Sequence, residues 1–141
     1  MKKLTKIIAA ILLLTVVFCF AACEKEPVPE GIWDSAIYTE DVTLGEGGTI
    51  LTVGVKIEDK TVTFTLNTDA DTVGAALLEN GLIAGEEGAY GLYVKVVNGV
   101  TADYDIDQSY WAFWINGEYA MSGVDTTPIV AGEDYLLEYT K

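Results

Sequence analysis

Two features of this sequence could do chemistry: an aromatic run and a spaced acidic triplet. The aromatics are densest in Tyr110-Trp111-Ala112-Phe113-Trp114, with Tyr90, Tyr93 and Tyr104 before the run and Tyr119 after it. On a strand, successive side chains alternate between faces. Tyr110, Ala112 and Trp114 then share one face, and Trp111, Phe113 and Ile115 the other. The all-bulky set suits a core. The set with alanine between two large rings suits a shallow slot for a flat ligand, because exposed rings give contact area at low entropic cost. The candidate ligand-binding residues are Tyr90, Tyr93, Tyr104, Gln108, Tyr110, Trp114 and Asn116, rings to stack and two amides to hydrogen-bond. The opposing alternative is that Tyr110 and Trp114 pack beneath residues 31–44, whose Trp33 and Tyr38 also need partners.

The triplet Asp103, Asp105 and Asp107 has a spacing that can begin a Ca²⁺ loop. An EF-hand would also need glycine at the sixth position and glutamate at the twelfth, where this chain has Gln108 and Trp114. A solvated acidic loop is the expectation, with no metal site. Catalysis is equally hard to build. There is no histidine for a Ser-His-Asp arrangement, no cysteine after Cys23 to act as nucleophile, and no arginine or Walker-type glycine loop to hold phosphate. No carboxylate pair stands in a context that favours glycoside cleavage over simple solvation. The chain is expected not to be an enzyme and to need no cofactor.

Charge narrows the partners. All 22 acidic residues follow Cys23, against five lysines, for a net side-chain charge of −17 in that portion. Nucleic-acid binding needs a cationic surface to displace phosphate counterions, so it is excluded. Attraction to anionic lipid head groups is excluded on the same ground.

Residues 1–22 read as a targeting segment, set apart from the fold. Lys2, Lys3 and Lys6 precede an uncharged stretch, Ile7 to Ala22, that ends in Ala21-Ala22-Cys23. This order resembles a bacterial lipoprotein signal, with Phe20 where leucine is usual. The resemblance implies a diacylated Cys23 and a protein anchored on the extracellular face of the cell membrane, since stable anchoring takes two lipid signals. The apolar stretch is short for an uncleaved span of about 20 residues.

Residues 23–44 form the lipidated tether and N-terminal segment, and residues 45–141 the folded domain. Alternation predicts strands at Thr49–Ile57 and Thr61–Leu66, a hairpin with a threonine-lined outer face. Thr68, Asp69 and Asp71 are N-cap types, Val73, Ala76 and Leu77 share a helical face, and Asn80-Gly81 ends a short helix at about 70–80. Gly74 and Ala75 would let this helix lie close to a sheet. Leu82 to Ala89 reads as a loop. Strands follow at 91–97, 110–115 and 134–140, with turns at Asn98-Gly99 and Asn116-Gly117. The fold class is α+β, a mixed sheet with one short helix, and a β-grasp arrangement fits this order.

The segments TVGAALLENGLI (72–83), YGLYVKVVNG (90–99), SYWAFWINGEYAMSGVD (109–125) and AGEDYLLEYT (131–140) resemble a bacterial domain family of unestablished function. That family is similar to the C-terminal domain of the vitamin B12 carriers transcobalamin and intrinsic factor, through Tyr110-Trp111, the GVD at 123–125 and the closing strand. The resemblance implies a soluble-ligand-binding β-grasp and a corrinoid such as cobalamin as ligand. In the B12 carriers the vitamin lies between this domain and a larger helical one. This chain has no such helical domain, so a membrane transporter, a partner protein or a second copy would complete the site. The other expectation is a surface module that docks a protein or glycan.

Overall fold

Alternation builds the main sheet as expected. In β2 (Thr49–Ile57), Leu51, Val53, Val55 and Ile57 are buried while Thr52 stays exposed. In β3 (Lys60–Thr68), Val62, Phe64 and Leu66 do the same between half-exposed threonines. The computed structural model describes residues 31–141; the targeting segment, Cys23 and the tether up to residue 30 lie outside the described residues.

β1 (Val42–Leu44), β7 (Tyr110–Ile115), β8 (Glu118–Tyr119) and β9 (Tyr135–Thr140) complete a six-stranded sheet in the order β1-β3-β2-β9-β7-β8. It is mixed: β1 runs parallel to β3 and β9 parallel to β2, and the other pairs are antiparallel. Register carries one inner face across it. Val53 stands beside both Phe64 and Tyr135, and Leu137 beside both Val55 and Phe113. Trp111, Phe113 and Ile115 join this inner face, as their bulk predicted.

Helix α1 (Val73–Glu79) adds Val73, Ala76 and Leu77 to the same cluster. Its cap differs from the expectation. Thr72 Oγ1 takes the Ala75 N–H at 3.2 Å. Thr68 instead bonds the Ala70 N–H and Glu79, and Asp69 takes the Gly48 N–H. Asn80-Gly81 does end the helix, with Gly81 at φ +67. Gly74 faces the backbone of Val124 and Asp125 rather than a sheet.

A second, antiparallel sheet comprises β4 (Ile83–Gly88), β5 (Gly91–Val97) and β6 (Val100–Thr101). Sequence predicted one sheet and a loop at 82–89. Ala84-Gly85-Glu86-Glu87-Gly88 has no strand-forming residue, and its pairing with β5 alone makes it extended. The acidic stretch before β7 likewise holds a short helix, α2 (Tyr104–Asp107).

Each fully buried Leu, Ile, Val or Phe contributes about 1.5–3 kcal/mol. Leu51, Ile57, Phe64, Leu66, Leu77 and Leu137 are all of this kind, so the domain holds together without a disulfide.

The N-terminal segment settles on the inner side. Tyr38 meets Phe64 edge-on at 5.7 Å, and Lys60 sits 4.8 Å over the Trp33 ring. The buried Asn98 side chain clasps Tyr38, taking its N–H at 2.9 Å and giving to its carbonyl at 2.7 Å. Trp33 and Tyr38 thus find partners without covering Tyr110 or Trp114.

Tyr135 links the closing strand to the loop before it. Its hydroxyl lies 2.7 Å from Glu133 Oε2 and accepts the Val130 N–H at 3.1 Å. Burial, then the Glu133 carboxylate, pushes its phenol above the ordinary tyrosine value. The unfolded chain therefore ionises first as pH rises. This contribution to stability is complete below the unfolded value of about 10 and is lost as pH climbs through the higher folded one. Thermal midpoints measured between neutral pH and strongly alkaline pH should fall more steeply for the native chain than for Tyr135→Phe, whose curve starts lower and runs flatter.

Candidate functional site: an aromatic cleft at the open edge of the main sheet

β8 pairs only with Trp114 and Ile115 of β7. One further bond, Ala120 N–H to Phe113 O at 2.9 Å, extends that contact. Beyond it the edge at Tyr110–Ala112 has no strand beside it. β6 in turn covers only Val96 and Val97 of β5, leaving Leu92–Val94 as a second open edge. Between these edges lies a cleft of about 230 Å³. Trp111 and Phe113 line its inner part, and Tyr93, Tyr110 and Tyr119 also border it. Trp111 is held by its Nε1–H, which donates to Val100 O at 3.3 Å, and by edge-on contact with Tyr139 at 5.6 Å.

Asp125 sets the position of the β5 edge. Its Oδ2 accepts the Leu92 N–H at 3.0 Å, a bond a neighbouring strand would otherwise make. Its Oδ1 is buried without a partner. Gly91 lies so close to it that a Cβ there would meet Oδ2 at 2.6 Å, and Gly91 has φ +104, which only glycine adopts easily. Large side chains stand open to solvent on the segments that border it: Tyr93 is 43% exposed, Tyr90 on the preceding turn 99%, and Met121, between the lining residues Ala120 and Ser122, 99%.

The structure groups some of the predicted residues and separates others. Tyr93 and Tyr110 meet at the cleft. Tyr90 sits on the β4–β5 turn and shares an adjoining hollow of about 300 Å³ with Tyr93. Trp114 lies elsewhere, in a hollow of about 380 Å³ on the outer face, with Gly117, Asp134, Leu136 and Glu138. Tyr110 and Trp114 share a strand face, but four residues of extended chain set their Cα atoms about 13 Å apart. They do not form one slot. Asn116, at φ +51, uses its side-chain oxygen to hold the Asp134 N–H at 2.9 Å. Tyr104 is exposed on α2, and Gln108 ends that helix in the left-handed conformation, φ +63. Neither lines any of these hollows. A further hollow, about 550 Å³ between residues 48–52 and 130–134, contains none of the predicted residues.

Sequence reasoning did not include Tyr119, Met121 and Asp125 among the site residues. The GVD at 123–125 was a signal for Asp125: two residues of a tight turn deliver a carboxylate to a strand edge.

The acidic triplet is largely engaged within its own loop. Asp103 Oδ1 accepts the Asp105 N–H at 3.0 Å, and Asp107 accepts both the backbone and hydroxyl of Ser109. Those two bonds, with weaker help from Lys141, hold the Asp107 carboxyl below the usual aspartate range. Among the described residues no three His, Cys, Asp or Glu side chains are grouped to hold a metal ion.

Comparison with known proteins places this geometry in a family. A protein from Ruminococcus gnavus ATCC 29149, provisionally described as metal binding, is 33% identical, with a TM-score of 0.62 over 67% of this chain and 98% of that one. Haptocorrin, solved in complex with Cbi, is 20% identical with a TM-score of 0.48, a likeness too weak to carry an argument; this chain spans a quarter of it. No curated protein sequence matches. Residues 70–141, which hold α1, the second sheet, the cleft and the closing strand, match the family described as Domain of unknown function (DUF4430), and the chain belongs to that family.

Proposed function

We propose that this protein is a lipoprotein receptor, anchored through Cys23 on the extracellular face of the cell membrane, whose β-grasp-like domain captures a flat, amide-bearing ligand without catalysis. The observation that carries this reading is the convergence of Tyr93, Tyr110 and Tyr119 on one cleft between two open strand edges. Rings supply stacking area, and open edges supply backbone donors and acceptors for amides. The resemblance of residues 109–125 to the B12 carriers makes a corrinoid such as cobalamin the ligand of choice.

The cleft is smaller than the roughly 300–1,000 Å³ that encloses a whole drug-sized ligand. It takes the edge of a corrin, and a membrane transporter or second protein covers the remainder. The signal at residues 1–23 and the acidic character of the chain support anchoring by acyl chains rather than by charge. Cobalamin added to the full chain in neutral detergent should quench tryptophan emission saturably after inner-filter correction, because Trp111 lies in the cleft. Tyr119→Ala should weaken that binding about tenfold, the loss of one stacked ring. No saturable change up to millimolar cobalamin would remove this reading.

Tyr90 and Met121, both almost fully exposed, favour a second reading in which the rim docks a protein. Stoichiometric capture of one envelope protein, abolished by Tyr90→Ser with Met121→Ser and indifferent to cobalamin, would select it.

A further inference from the structure

The outer face of the main sheet carries a second hollow, separate from the cleft, bounded by Trp114, Gly117, Asp134, Leu136 and Glu138. Its chemistry is one-sided. Trp114 is half-exposed, yet its Nε1 is buried with no hydrogen-bond partner. The indole therefore presents carbon, not its N–H, to solvent. Tyr119 meets it edge-on at 5.5 Å and fixes the ring. Leu136 adds an apolar surface.

The side-chain polar atoms lining the hollow are carboxylate oxygens. Asp134 forms no ion pair among the described residues, and its bonds to Asn116 use its backbone N–H and carbonyl, not its carboxylate. Glu138 holds the Lys56 ammonium at 3.0 Å, so a cation already rests on one of the two carboxylates. A ligand for this surface must bring positive charge and an apolar body. An anion would meet two carboxylates, and the side-chain donor at hand, the Lys56 ammonium, is already held by Glu138. The chain's net charge of −14 further enriches cations near it.

We propose that this hollow binds a small organic cation, an alkylated ammonium group seated against the Trp114 ring between Asp134 and Glu138. Ring and cation attract through the ring quadrupole, and the carboxylates add direct Coulomb attraction. Lys56 competes for Glu138, so its removal strengthens the site.

The test is a titration of the full chain, in an uncharged detergent, with choline and with its neutral isostere in which carbon replaces nitrogen. The readout is the indole N–H resonance of Trp114. Choline should shift it saturably, about tenfold more tightly than the isostere, the difference expected from one cation on a ring with carboxylates beside it. Lys56→Gln should tighten choline binding about threefold, and Asp134→Asn should weaken it about as much. Equal response to both probes would overturn the proposal, as would choline affinity unchanged by both substitutions. Tyr119 borders the cleft and also packs on Trp114, so the choline titration keeps Tyr119 native, and its readout at Trp114 separates it from cobalamin binding at Tyr93 and Tyr110.

Discussion

Trp111→Ala should lower the unfolding free energy by about 3–5 kcal/mol, whereas Tyr110→Ala, its chain neighbour, should cost about 1 kcal/mol. The contrast follows from strand alternation. Trp111 is 8% exposed, packs edge-on to Tyr139 and has its N–H on the Val100 carbonyl. Its loss leaves a cavity, and that carbonyl loses its indole donor. Tyr110 is half-exposed, and none of the side-chain hydrogen bonds described above involves its hydroxyl. Urea denaturation of the two variants checks the assignment of faces. Similar losses for both would show that the two faces of β7 are equally buried.

The second large effect lies outside the cleft. Gly74→Val should destabilise the fold by about 3 kcal/mol and weaken ligand capture at the same time. A Cβ on Gly74 would stand 2.7 Å from Asp125 N, 2.8 Å from its Cα and 2.9 Å from Val124 C. These are backbone atoms and cannot rotate away. In an exposed helix, replacing glycine by alanine gains about 1 kcal/mol, but here the clash outweighs that gain. Even Gly74→Ala should therefore destabilise. Pushing the 123–126 turn away from α1 also displaces Asp125 from the Leu92 N–H, the bond that positions the β5 edge. Thermal unfolding with a parallel cobalamin titration would follow both effects. A Gly74→Ala protein as stable as the native chain would show that the turn moves freely.

Much of the fold could be read from pattern. The alternation of Leu51 to Ile57 and Val62 to Leu66, the Asn98-Gly99 and Asn116-Gly117 turns and the helix end at Asn80-Gly81 each have a local physical cause, and each appears where expected. What escaped depends on pairing partners rather than on a segment's own residues. Beyond Ile83, β4 has no strand-forming residue and is extended because β5, across a tight turn, pairs with it. β1 is three residues long and is defined by a parallel register with β3. The division into two sheets follows from where β6 and β8 stop, which no local signal marks.

The site was legible in the same partial way. The side-chain faces of β7 follow from its sequence, so Trp111 and Phe113 could be assigned to the core. The grouping of Tyr93 with Tyr110, and the removal of Trp114 to another hollow, depend on which strand edges stay open. Asn116 looked like a free amide because its sequence context, Asn-Gly, does not reveal that Asp134 lies within reach of its oxygen.

The most direct measurement is an NMR titration of ring-labelled tyrosines with cobalamin. If the gap beside β7 is the receptor surface, the resonances of Tyr93, Tyr110 and Tyr119 will move together and saturate at one ligand concentration. Tyr38, packed on Phe64, will stay in place. Saturable binding that leaves the three cleft tyrosines unmoved would contradict the account.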